Sequence, residues 1–73
     1  MNAPTALIAE DEPLLRSELR EALASAWPEL SICAEAADGD AAIRAMEQCS
    51  PDILFLDIRM PGASGLEVAR RAS

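Results

Sequence analysis

Four carboxylates stand at two places where an apolar run stops. "ALIAEDE" closes on Glu10, Asp11 and Glu12, and "ILFLD" closes on Asp57. If the two runs are neighbouring strands, their tips lie about 5 Å apart. Glu10, Asp11 and Asp57 then share one pocket. Two carboxylates about 4 Å apart repel by roughly 4 kcal/mol at an effective dielectric of 20, so the cluster needs a reason to exist. A hard divalent cation supplies one. Mg²⁺ takes oxygen ligands, keeps several waters, and is commonly held by one or two carboxylates plus a phosphate oxygen. The spacing fits a metal that neutralises an incoming phosphoryl group.

Each acidic segment also has a plainer reading. Glu10–Glu12 alone could simply favour the positive end of a helix that opens at Pro13. Asp57 alone could cap a helix. However, "IRMPG" after Asp57 does not continue as a helix, and the next helix has its own cap in Ser64. Acids at both strand ends, in this order of elements, argue for a site.

The elements that must position these acids follow from the patterning. Thr5–Ala9 is a short apolar run without helical length, and reads as a strand. Pro13 opens a helix whose Leu15, Leu19, Ala22, Leu23 and Ala26 fall at helical spacing, and Pro28 ends it. Leu30–Ala34 alternates and reads as a second strand. Asp38-Gly39 starts a second helix, with Ala42, Met46 and Cys49 on its apolar side and Pro51 as its stop. Ile53–Leu56 is a third strand, apolar on both faces, as in a covered parallel sheet. Ser64 and Glu67 form an S-x-x-E capping box, which starts a third helix near Gly65. The order β-α-β-α-β-α predicts an α/β fold with a parallel sheet and right-handed crossovers. Strand order 1-2-3 or 2-1-3 remains open. The second would put a topological switch between strands 1 and 3, where open α/β sheets bind ligands.

Composition narrows the function. A chain of 73 residues is one domain at most. Thirteen acids against six Arg give a net charge of −7, which disfavours nucleic acid and anionic membrane surfaces as partners. There is no His and no Lys, which excludes a catalytic imidazole, a Walker-type lysine and an ordinary zinc site from this chain alone. Cys33 and Cys49 lack C-x-x-C spacing and read as reduced, mostly buried thiols. The N-terminus has no basic, apolar leader and no segment approaches membrane-spanning length, so a cytoplasmic location is expected.

"ALIAEDEPLLR" followed by "DILFLDIRMPGASGLEVAR", with "AADGDAAI" between them, resembles the receiver domain of bacterial two-component response regulators. The resemblance covers nearly the whole chain. It implies a flavodoxin-like fold, here truncated to β-α-β-α-β-α with parallel strand order 2-1-3, and residues 1–73 as the N-terminal part of a receiver domain without an effector domain. By the same resemblance, Asp57 accepts a phosphoryl group from a sensor histidine kinase. Asp11 is a direct Mg²⁺ ligand and Glu10 a ligand through water, with Glu standing where Asp is commoner. The backbone carbonyl of Arg59 is the remaining protein ligand. Met60, Pro61 and Gly65 shape the loop after the phosphorylation site. The chemistry agrees with the acids themselves, since a carboxylate is a competent nucleophile toward phosphorus and the transfer needs mainly positioning and charge neutralisation.

Departures from the family pattern are specific. The chain ends inside helix 3. The Ser/Thr after strand 4 and the Lys after strand 5 are missing, as is the usual partner face. Impaired switching is therefore expected. Strand 3, central in the whole fold, would become an apolar open edge, and a homodimer joined along it is one expected outcome. The competing reading is an assembly module without switching activity. An enzymatic reading, a phosphatase of the haloacid dehalogenase type, requires a second acid two residues after Asp57. Arg59 stands there, so no enzyme is expected.

Overall fold

The computed structural model describes residues 3–57 and 65–72. Three strands and three helices alternate along the chain: β1 (Thr5–Ala9), α1 (Pro13–Ala26), β2 (Ser31–Ala36), α2 (Gly39–Cys49), β3 (Ile53–Leu56) and α3 (Gly65–Ala72). The strands form one parallel sheet in the order β2-β1-β3. Of the two orders the residues left open, the structure takes the one with a switch between β1 and β3.

β1 lies between the other two strands and is covered on both faces. Ala6, Leu7, Ile8 and Ala9 are all buried. Alternation sends Leu7 and Ala9 to one side. There they meet Ala34 and Ala36 of β2, Leu54 and Leu56 of β3, Ala42, Ile43 and Met46 of α2, and Val68 of α3. α2 is held at both ends. The Asp38 side chain accepts from the Ala41 amide at 2.7 Å at its start. At its end Ser50 adopts the left-handed conformation (φ 44°), and its amide bonds the Met46 carbonyl. The start of β3 is tied to the start of β1. Asp52 Oδ2 accepts from the Thr5 amide at 2.9 Å and from the Thr5 hydroxyl at 3.3 Å.

Several local expectations are refined. β2 runs to Ala36, two residues beyond the alternating stretch, and its register with β1 slips between Ala6 and Leu7, so that Cys33 is passed over in the pairing. A bulge of one residue is invisible to a two-residue period. On α1, Leu19 and Leu23 are partly covered, but Leu15 is half exposed and Leu14 more so, and no residue of the helix is buried. β3 is apolar as predicted, yet each of its four residues is only partly buried. Both findings have one cause. Among the described residues β3 pairs on one side only, and α1 has no helix beside it on its face of the sheet. α3 starts at Gly65, as expected, while Ser64 of the predicted S-x-x-E box lies outside the described residues. Among the described residues no helix is long and apolar enough to cross a membrane.

Candidate functional site

The site is built at the carboxyl ends of β1 and β3. The β1–β3 ladder pairs Ala9 with Leu56 and then runs one step further, with the Asp57 amide donating to the Ala9 carbonyl at 2.9 Å. That bond fixes the backbone of Asp57 against β1 at the point where Glu10 leaves it. On the opposite side the Glu10 amide donates to the Ala36 carbonyl of β2 at 3.0 Å. Glu10 therefore has sheet neighbours on both sides even though β1 has formally ended.

From these anchors the structure brings Glu10, Asp11 and Asp57 together. Each offers a carboxylate oxygen, and the three oxygens lie within 4.8 Å of one another. Glu10 and Asp57 border a depression of about 260 Å³ whose apolar lining comes from Ala9, Leu19, Phe55 and Leu56. Three hard oxygen donors at this spacing, beside a partly apolar hollow, suit a small divalent cation. A larger groove of about 370 Å³ lies between α2 and α3 near the start of β3, and holds one acid, Glu47, and one base, Arg71.

Electrostatics mark the same place. The Glu12 amide, 3.1 Å from Glu10 Oε2, lowers the Glu10 pKa. Burial, hydrogen-bonding contact with the side chains of Asp11 and Asp57, and the charge of Asp57 act in the other direction. Together they prevail, and the Glu10 carboxyl titrates above its ordinary value. Burial is the largest of the raising causes, and contact with the two neighbouring acids adds to it.

Gly65 is the first residue of α3, whereas Arg59, Met60 and Pro61 lie outside the described residues. Sequence reasoning did not foresee the hold on the acidic turn. Arg16 reaches back from α1 and its Nη1 donates to the Glu10 carbonyl at 2.8 Å, while its Nε lies 3.5 Å from Glu35 Oε1 on β2. The only hint in the sequence was the place of Arg16 opposite the apolar stripe of a helix that opens two residues after Asp11.

An open parallel sheet with an acidic pocket at its topological switch defines a class of ligand-binding α/β domains. Comparison with known proteins narrows the class. The family model described as response regulator receiver domain matches residues 6–72. An uncharacterized response regulatory protein of Vibrio cholerae is 57% identical over 67 residues, covering 92% of this chain and 26% of that protein. Among solved structures, the receiver domain of AraT, a response regulator from Geobacillus stearothermophilus, superposes with a TM-score of 0.88 at 33% identity. That match covers 96% of this chain and 54% of the other. The signal receiver domain of a NarL response regulator from Mycobacterium tuberculosis gives 0.87 at 35% identity, with 94% and 55% covered. This chain belongs to the response regulator receiver domain family, the signal-accepting modules of two-component systems, and has its flavodoxin-like fold. It spans about half the length of the receiver structures it matches and about a quarter of the Vibrio relative.

Proposed function

We propose that this chain is a phosphoacceptor module, corresponding to the N-terminal part of a receiver domain, in which Asp57 takes a phosphoryl group from a sensor histidine kinase. The observation that carries the reading is the convergence of Glu10, Asp11 and Asp57 within 4.8 Å at the β1–β3 switch. An Asp57 carboxylate oxygen attacks phosphorus in line with the donor nitrogen. The P–N bond of the donor phosphohistidine breaks as the acyl phosphate forms, and the imidazole leaves. With no His of its own, the chain acts as acceptor and not as donor.

Mg²⁺ fits the donor set, which is all oxygen and all carboxylate. Asp11 and Asp57 would hold it directly and Glu10 through water, with the Arg59 carbonyl as a further ligand. When bound it neutralises phosphoryl charge. The chain's own residues supply the rest. The β1–β3 ladder fixes the Asp57 backbone, and the Arg16 bond fixes the turn that carries Asp11. By the family resemblance, Met60, Pro61 and Gly65 would shape the loop that follows Asp57. The chain contains no Lys, so a lysine contact to the phosphoryl oxygens is not supplied from within it.

The proposed module is modified once and does not turn over a substrate. Incubation with acetyl phosphate and Mg²⁺, followed by intact mass, tests this. A single phosphoryl adduct that is lost in Asp57→Ala supports the reading. Sustained hydrolysis of a phosphoester would make the chain an enzyme instead, and no adduct at all would refute phosphoacceptance.

A second reading rests on a different observation. The four β3 residues are only partly buried and the strand pairs on one side only among the described residues. We propose that two copies can pair along this edge into a continuous sheet. Size-exclusion chromatography with light scattering is expected to show a dimer. A clean monomer at high concentration refutes it.

A further inference from the structure

The proposed cation site rests on a turn of three residues, Glu10–Asp11–Glu12, and Arg16 grips that turn at both ends. Its Nη1 donates to the Glu10 carbonyl at 2.8 Å, and its backbone amide donates to the Glu12 carbonyl at 2.9 Å. The guanidinium is itself held. Its Nε lies 3.5 Å from Glu35 Oε1. Glu35 in turn accepts from Arg20 Nη1 at 3.1 and 3.0 Å, and Arg20 Nη2 bonds Ser17 Oγ at 3.0 Å. The side chain of Arg16 is 22% exposed, so its bond to the Glu10 carbonyl is partly shielded from water, whereas the Arg20 contacts behind it are exposed.

The Glu10 carbonyl belongs to the same rigid peptide plane as the Asp11 amide. A bond that orients this carbonyl therefore orients the plane, and with it the direction in which Asp11 leaves the strand. We propose that Arg16 is a positioning residue for divalent-cation binding: it sets the Glu10–Asp11 peptide plane, and so the placement of the Asp11 carboxylate relative to Asp57. The inference rests on the cation site of the preceding section and adds to it the residue that shapes it.

Positioning and through-space charge make opposite predictions here. A guanidinium near a divalent cation repels it, so by charge alone Arg16→Met should tighten Mg²⁺ binding and Arg16→Lys should leave it unchanged. A positioning role predicts weaker binding in both, because Met has no donor. Lys offers one point of charge where Arg offers a fork that spans carbonyl and carboxylate.

The test uses the 73-residue chain, freed of metal with EDTA and then titrated with MgCl₂ while its melting temperature is followed. The midpoint of the stabilisation reports affinity by linkage, and the metal-free melting temperature reports stability separately. Arg16→Met is expected to raise the Mg²⁺ midpoint about tenfold, equivalent to about 1.4 kcal/mol, and Arg16→Lys severalfold. Arg44→Met, at an exposed position on α2, is expected to leave it unchanged. A lower melting temperature with an unaltered midpoint in Arg16→Met makes the residue merely structural and overturns the proposal, as does a midpoint that falls. If Arg16→Met does not fold, the Arg16→Lys midpoint decides in the same way. A wild-type chain whose melting ignores Mg²⁺ refutes the cation site itself, which is a distinct failure.

Discussion

Asp57→Asn should make the metal-free chain more stable, although it destroys the proposed phosphoacceptor. The three carboxylates present oxygens within 4.8 Å of one another. At that separation two unit charges repel by about 0.9 kcal/mol in bulk water and about 3.5 kcal/mol at an effective dielectric of 20. Asp57 takes part in two such pairs, with Glu10 and with Asp11. The site is partly open to water, which places the sum toward the lower limit. A gain of about 1–2 kcal/mol at low ionic strength is expected, or about 5–10 °C in melting temperature for a chain of this size. The assay is thermal unfolding followed by circular dichroism in EDTA. Near 1 M NaCl, where the screening length falls to about 3 Å, most of the gain should vanish. Saturating Mg²⁺ should reverse the ranking, since the wild type keeps its full ligand set. The pH dependence has a definite sign. The folded-state pKa of Glu10 is raised, by burial and by contact with Asp11 and Asp57 against the lowering effect of the Glu12 amide. The folded chain therefore binds more protons than the unfolded one in the window between the two pKa values. This contribution to stability improves as pH falls toward the ordinary carboxylate range, and is lost as pH rises through the folded pKa. Asp57→Asn should weaken it, while burial and Asp11 keep part of it. An Asp57→Asn variant that melts at or below the wild type in EDTA, with no salt dependence, would refute the reasoning.

Other expectations are simpler. Asp38→Ala removes the carboxylate that accepts from the Ala41 amide at 2.7 Å, and should cost about 1 kcal/mol; a melting temperature within a degree of wild type would count against that cap. Cys33 has its thiol pKa pushed up to about 11, chiefly by burial and then by the nearby Cys49. Its thiolate should be scarce, and iodoacetamide at pH 8 should label it about a hundredfold more slowly than an exposed thiol. Cys49→Ala should speed the labelling modestly, and labelling as fast as a free peptide would show that the thiol is not shielded.

Much of the fold was legible because it is written in local patterns. β3 and β1 have the predicted bounds, since apolar runs closed by acids or a proline leave little choice. α2 starts at Gly39 behind Asp38 because an Asp placed there satisfies a helix amide and its neighbours pack. Glu10, Asp11 and Asp57 could be placed at the same edge of the sheet because both segments end parallel strands, but a shared pocket also needed β1 and β3 to be neighbours, which the residues left open and the structure supplies. Leu15 shows the limit. Its spacing matches Leu19 and Leu23, but burial depends on what stands opposite, and no helix lies beside α1 on its face of the sheet among the described residues. The Cys33 bulge escaped notice because a slip of register is a relation between two strands and not a property of either.

By itself, then, the sequence determined the alternation of strands and helices, the acidic strand ends and the family pattern they compose. These depend on residue type at short spacing, where sterics, capping and periodicity act. The tertiary structure decided that β1 lies between β2 and β3, which residues Asp57 and Glu10 meet, and that Arg16 reaches the Glu10 carbonyl. Those are contacts between distant segments, set by the joint packing of Leu7, Ala9, Leu54, Leu56 and Val68, and no local pattern encodes them.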